Sequence, residues 1–378
     1  MKKNILLHKI LAVFCDLIIA GVLLCTFALF HHVIPQKGNT ENAISIPKPT
    51  ASIPAFSLPD INTPQVHTPT ISATNTISAT ITSSATNTSS TTPKATATFP
   101  YTAEKTSDLT TPSATPTAQQ TDAETPEPTV VQTPSVIQTE NSYRSNNVVV
   151  NMRTEQTGSG KSIVTYHIAD IYVTNVECLR SAFAEQTYGE NYAQSVLNQD
   201  KENNAIVAIS GDSYGLSDTG VVLRNGILYK FDNTGSDICV LYYDGRMETL
   251  SPGEYTKESL VAGGAYQVWN FGPGLLDESG RAKTIFNADK YITKSHPRAS
   301  IGYYAPGHYV FVLVDGRQTG YSTGMTLSEL AKLYEDLGCS AAYNLDGGIS
   351  AVMTFNDSVY SHPANTRNVS DIIYIGEI

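Results

Sequence analysis

The sequence predicts an α+β fold: mixed sheets with interleaved helices in a single globular ectodomain, set behind a transmembrane helix and a disordered stalk. Three observations carry this. An apolar run near the N-terminus is long enough to cross a bilayer. A segment dominated by Thr, Ser and Pro follows it. Beyond residue 140, short β-branched runs outnumber helical patterns, with no regular strand–helix–strand rhythm. The chain has 378 residues, 41% hydrophobic and 16% charged, with a formal net charge of −11. That apolar content excludes a wholly disordered chain, and an acidic chain without a basic block argues against a nucleic-acid partner.

Residues 1–34 read as a cytoplasmic N-terminus and signal anchor. Lys2, Lys3 and Lys9 precede an apolar run over 10–30, interrupted by a single charge, Asp16. As a helix, such a run spans about 30 Å, the thickness of a bilayer core. A cleaved signal peptide would carry a shorter apolar region and a small-x-small site, for which Ala28-Leu29-Phe30 is a poor match. The positive N-terminal flank predicts a single-pass cell-membrane protein with a cytoplasmic N-terminus and an extracellular C-terminal domain. In residues 35–140, 52 of 106 positions are Thr, Ser or Pro. Too little apolar surface is available there to offset the entropy of ordering, so the segment is expected to be a disordered stalk, a plain spacer.

Residues 141–378 hold everything foldable, with 17 Lys and Arg against 26 Asp and Glu. Cys178, Cys239 and Cys339 cannot all pair and none sits at metal-ligand spacing, so neither a disulfide framework nor a metal site is indicated, and no cofactor is expected. Residues 163–173 alternate β-branched or aromatic with polar side chains, a strand signal. A helix is expected around 188–199. The short apolar run 205–209 suits a strand covered on both faces. Residues 221–224 and 227–230 flank Asn225-Gly226, a hairpin with a type I′ turn, and Asp244-Gly245 after 239–243 reads as the same device. A third strand pair, 299–304 and 308–314, is joined through Pro306-Gly307. Thr326 and Glu329 make a capping box, and Gly338 ends the helix that follows, whose apolar face is Leu327, Leu330, Ala331, Tyr334 and Leu337.

Three polar clusters rich in glycine directly follow apolar strand runs: 210–215, 315–317 and 344–350. One Asp-Gly alone is a turn. Three at strand ends are a way to build a site on a rigid sheet, with glycine letting a ligand approach the backbone.

These clusters, with segments 222–229, 271–275, 296–302, 322–333 and 367–374, carry a resemblance to the phosphodiester glycosidases, the uncovering-enzyme-like family, in their membrane-anchored bacterial form. Two departures stand out. The family usually has Asn-Gly where this chain has Ser210-Gly211, and Asp-Gly-Gly-Gly-Ser-Ser where it has Asp346-Gly347-Gly348-Ile349-Ser350-Ala351. The resemblance implies hydrolysis of a sugar-1-phosphodiester on a cell-wall or extracellular glycan, with Asp212, Asp346 and Asp315 as the catalytic carboxylates. Arg298 and Arg317 then serve as phosphate clamps, since a planar guanidinium binds phosphate oxygens in pairs. Asn344, Gly347, Gly348, Ser350, Ser322, Gly324, His296 and Arg367 complete the implied substrate site, and the start of the capped helix offers further anion contacts. The competing reading is a catalytically silent glycan-binding module displayed on the stalk.

Overall fold

The computed structural model describes residues 2–50, 53, 55–59, 136–216, 219–232 and 235–378. Most of the expected stalk, 60–135, therefore lies outside the described residues. Helix α1, Lys2–His32, contains the 18-residue window Val13–Phe30 with mean hydropathy 2.5, long and apolar enough to be a membrane span or a signal sequence.

Among the described residues every strand pairing is antiparallel, which excludes a doubly wound parallel sheet there. The central sheet has seven strands in the order Ala341–Asn344, Arg298–Ala305, His308–Val314, Val164–Val173, Val148–Thr157, Ser142–Arg144 and Ile137–Gln138. In His308–Val314 the side chains of Tyr309, Phe311 and Leu313 enter the main core, while Val310, Val312 and Val314 enter a second core on the other face. The neighbouring Val164–Val173 alternates polar and apolar, yet all ten residues are buried. Its polar members are satisfied internally: His167 by Asp315, and Asp170 by His308.

The second core is closed by the capped helix, Leu327–Leu337. Thr326 and Glu329 cap it reciprocally, Gly338 ends it at φ 79°, and Leu327, Leu330, Ala331 and Tyr334 are buried, as the pattern requires. Each of the two leucines contributes roughly 1.5–3 kcal/mol by leaving water. The main core is shared with a six-stranded sheet, ordered Met247–Leu250, Ile238–Tyr242, Ala265–Trp269, Val221–Arg224, Ile227–Phe231 and Ile44–Ser45. A five-stranded sheet, ordered Ser358–Val359, Met353–Phe355, Val207–Ser210, Asp371–Ile375 and Leu179–Phe183, adds to it.

Several local expectations need correction. The hairpin at Asn225-Gly226 has φ 52° and 78°, as a type I′ turn demands. At Asp244-Gly245 only the glycine is left-handed, and the Tyr242 and Gly245 N–H groups close a wider connection through Arg246 O and Tyr242 O. The helix expected at 188–199 begins only at Val196, capped by Ser195, and runs to Glu202. Gly189–Glu190 is instead a short strand paired with Gln36–Lys37, followed by Asn191 at φ 61°. The expected stalk is likewise ordered at its start: Ile44–Ser45 is the edge strand of the six-stranded sheet and Ile46 is 2% exposed in the main core.

Candidate active site

Strands Val207–Ser210, His308–Val314 and Ala341–Asn344 lead into the three polar clusters, and two of these are stitched together directly. The Asp346 N–H donates to Gly211 O at 3.0 Å, and the Ser210 hydroxyl donates to Asp346 O at 3.0 Å. Ser210 thus ties down the Asp346 backbone. The segment His296-Pro297-Arg298 threads between the other loops, and glycines make the space. A Cβ on Gly347 would sit 2.6 Å from Pro297 O, and one on Gly324 2.4 Å from His296 O. Gly348 takes the left-handed turn at φ 63°, so Ile349 is spared a strained backbone and projects its side chain, 39% exposed, at the cavity.

That cavity, about 330 Å³, is lined by Phe271, Tyr291, Ile292, His296, Arg298, Arg317, Asp346, Gly347, Gly348, Ile349 and Arg367, among others. A second, of about 290 Å³, adjoins it across Phe271, Asp346 and Arg367 and is lined by Asp212, Ser213, Tyr214, Ser236 and Asn270. Asp346 stands at the junction. Its Oδ2 accepts hydrogen bonds from the Ser213 hydroxyl and from Arg367 Nη2 at 2.8 Å, while its Oδ1 makes none among the described residues. Ser213 holds its place with φ 58°, and Arg367 is braced by donating to Ser350 Oγ at 2.6 Å.

The cations are arranged differently. Arg298 is 3% exposed and donates to the carbonyls of Met325 at 2.9 Å, Ile292 at 2.7 Å and Lys294. Burial pushes its guanidinium down to about 10. Arg317, exposed and at φ 60°, donates through Nη2 to His296 Nδ1 at 3.2 Å. Neither guanidinium has a carboxylate within ion-pairing distance among the described residues. His296, donating from Nε2 to Tyr291 O at 2.9 Å, is held below its usual range by burial and by the nearby Arg298 and Arg317 charges.

Asp212 lies in the opposite environment. Its Oδ1 accepts from Arg224 Nη2 at 2.6 Å and the Tyr214 N–H at 3.2 Å, and its Oδ2 accepts from the Asn270 N–H at 2.7 Å. Arg224, 1% exposed, also binds Asp371 Oδ2 at 3.0 Å. Asp371 is raised by burial and then by the Asp212 charge, with Arg224 opposing. Asp315 lines neither cavity. It binds His167 Nε2 at 2.8 Å, the Tyr321 hydroxyl at 2.9 Å and the His362 N–H at 3.1 Å, fixing the loop that carries Arg317.

Of the residues named from sequence, Asp346, Arg298, Arg317, His296, Arg367, Gly347 and Gly348 line one cavity and Asp212 the other. Ser322, Gly324, Asn344 and Ser350 stand behind the walls. Ser322 is fully buried between Asp315 O and the Thr165 N–H, and Asn344 Nδ2 donates to Gly272 O at 2.8 Å. At the capped helix start, Glu329 already accepts from the Thr326 N–H and hydroxyl, so a carboxylate occupies the expected anion position. Sequence reasoning missed Ser213, Phe271, Tyr291 and Arg224 as site-forming residues. For Arg224 a signal was present: a lone cation closing the apolar strand Val221–Arg224.

The family model for phosphodiester glycosidases matches residues 203–376. The SPbeta prophage-derived uncharacterized protein YomE of Bacillus subtilis (strain 168) is 30% identical over 170 residues, 43% of this chain and 26% of that protein, so the chain spans about a quarter of this relative's length. The zebrafish N-acetylglucosamine-1-phosphodiester alpha-N-acetylglucosaminidase catalytic domain, auto-inhibited by its pro-peptide, superposes with a TM-score of 0.50 at 21% identity, covering 65% of this chain and 89% of that one; it shows a common fold. A hypothetical protein from Synechocystis gives a TM-score of 0.47 at 13% identity over 65% of this chain and 64% of its own. Every segment that carried the resemblance falls inside the matched residues, so residues 203–376 are similar to the phosphodiester glycosidase family.

Proposed function

We propose that the chain hydrolyses a sugar-1-phosphodiester on a cell-surface or extracellular glycan, outside the cytoplasm, with Asp346 as the principal catalytic residue. One observation carries this reading: two guanidinium groups without a carboxylate partner, Arg298 and Arg317, share a cavity with an Asp346 whose second oxygen is uncommitted. Arg298, buried without a counter-ion, carries a desolvation cost that an anionic ligand relieves, and the exposed Arg317 is free to bind the same anion. The phosphodiester monoanion supplies it.

Arg317 and Arg298 hold the phosphate, placing the anomeric carbon at the junction of the two cavities. Asp346 Oδ1 takes a proton from water as that water attacks the anomeric carbon. The bond from the anomeric carbon to the phosphate oxygen breaks, and its electron pair leaves with a phosphomonoester that needs no proton from the protein. This differs from ordinary glycosides, which require a second, acidic carboxyl. It fits a site in which Asp212 is committed to Arg224. Ser213 and Arg367 hold the Asp346 carboxylate in orientation, leaving Oδ1 turned to the cavity junction.

The test is hydrolysis of a synthetic N-acetylglucosamine-1-phosphodiester in ¹⁸O-water by the full chain. The heavy oxygen is expected on the sugar. Label on the phosphate would replace the reading with attack at phosphorus, and saturable binding without turnover would replace it with the glycan-binding module.

A further inference from the structure

Residues 36–59 were expected to begin a spacer, yet those the structure describes, 36–50, 53 and 55–59, are built into the domain. Ile44–Ser45 pairs with Ile227–Phe231, Ile46 lies in the main core, Lys48 meets Glu177 at 2.5 Å, and the Phe56 N–H donates to Thr174 O at 2.9 Å. Pro59 O accepts from Arg144 Nη2 at 2.5 Å, and the chain returns as Ile137–Gln138, where Ile137 pairs with the same Arg144. The Thr-, Ser- and Pro-rich run thus leaves and re-enters the domain at one residue. Its length adds nothing to the distance between α1 and the cleft.

The link from α1 to the domain is short. Helix α1 ends at His32 and Gln36 is already paired with Glu190, so the connection cannot exceed about 14 Å when extended. A free stalk of the expected length would have given about 50–60 Å. From there a chain of contacts reaches the site. Gly38 lies so close to the Tyr188 ring that a Cβ would come within 2.4 Å of it, and Tyr188 stacks on Tyr214 at 5.5 Å. Tyr214 follows Ser213, which donates to Asp346.

We infer that residues 36–59 are a structural part of the catalytic domain, not a tether, and that they hold its cleft beside the end of α1, so that its substrate is a sugar phosphodiester displayed close to the membrane surface. The docking stands on the contacts alone. The substrate class rests on the functional reading above and on α1 being a retained membrane span.

The experiment uses the full chain with a site-specific protease sequence inserted after residue 94. After cutting, confirmed on a denaturing gel, native size-exclusion in detergent is expected to show both fragments co-eluting, and to show them separating in urea. With Ile46→Asp the cut fragments should part, while Phe56→Ala should weaken their association if the first variant does not fold. Separation of the cut parent chain would overturn the docking. In a second arm, the uncut chain in phosphatidylcholine vesicles is given an N-acetylglucosamine-1-phosphodiester of a dialkylglycerol in the same vesicles, or its soluble headgroup. A preference of about tenfold or more for the lipid form is expected, lost when a long Gly-Ser linker is inserted after residue 35. Equal use of both overturns the membrane-proximal substrate. No turnover of either, with co-elution intact, overturns the functional reading and the substrate class together, leaving the docking established.

Discussion

Asp346 and Asp212 both follow strand ends, both stand in polar glycine-rich clusters, and both face a cavity. They differ in what their oxygens already hold. Asp212 is fully engaged by Arg224 and two backbone N–H groups, inside a cluster of three charges that are almost completely buried. Asp346 has one oxygen engaged and one open, in a cavity shared with Arg298 and Arg317, neither of which has a carboxylate within ion-pairing distance among the described residues. The residue type is the same and the local motif similar. On the proposed reading, unspent hydrogen-bonding capacity separates the chemical carboxylate from the structural one.

The largest way to break this comparison is Asp212→Asn. It removes one of the two carboxylates on Arg224 and sets an amide NH2 against the Asn270 N–H in a buried site, so unfolding free energy in urea should fall by about 1–3 kcal/mol. Turnover per folded molecule should stay within about tenfold of the parent. Loss of activity with stability intact would make Asp212 the chemical group after all.

Arg317→Ala sharpens it from the other side. Arg317 is exposed and pairs with no acid, so its removal should leave stability within about 0.5 kcal/mol. KM for the phosphodiester should rise about 10- to 100-fold, the worth of a charge-assisted hydrogen bond, with kcat changed much less. Arg298→Ala, by contrast, removes three backbone contacts and should loosen the loop carrying Tyr291 and His296. A drop in kcat alone at Arg317 would argue against a phosphate clamp.

The smallest effect lies far from the cleft. Asp200 is buried beneath the five-stranded sheet, accepts from the Thr354 hydroxyl at 2.8 Å, and is pushed up to about 6 by burial. The unfolded chain releases this proton near pH 4, so between about pH 4 and 6 the folded state holds more protons and stability falls as pH rises. Asp200→Asn should therefore stabilise the protein by about 1–2 kcal/mol at pH 7 and by nothing at pH 4. Chemical denaturation at the two pH values reads this directly, and an equal effect at both would remove the ionisation argument.

Much of this was legible in the sequence because local chemistry and tertiary structure agree. The Thr326 and Glu329 box, the Asn225-Gly226 turn and the strand-end clusters are each specified within a few residues. Tyr188 to Gln199 misled because a helical composition there yields to strand pairing with Gln36–Lys37, a partner about 150 residues away that no local pattern announces. The setting of Asp212 was hidden for the same reason: it depends on Arg224 and Asp371 arriving from two other strands. The first part of the Thr-, Ser- and Pro-rich segment carries Ile44 and Ile46 at strand spacing, then Ile53 and Phe56, and those large apolar residues were the available sign that it packs.

The most direct test of the account is Asp346→Asn in the full chain, with sugar release and unfolding measured on the same preparation. The account predicts a loss of about 10²- to 10⁴-fold in kcat, the usual worth of a positioned general base, with unfolding free energy within about 1 kcal/mol of the parent. Turnover within tenfold of the parent, in a protein equally stable, would contradict it.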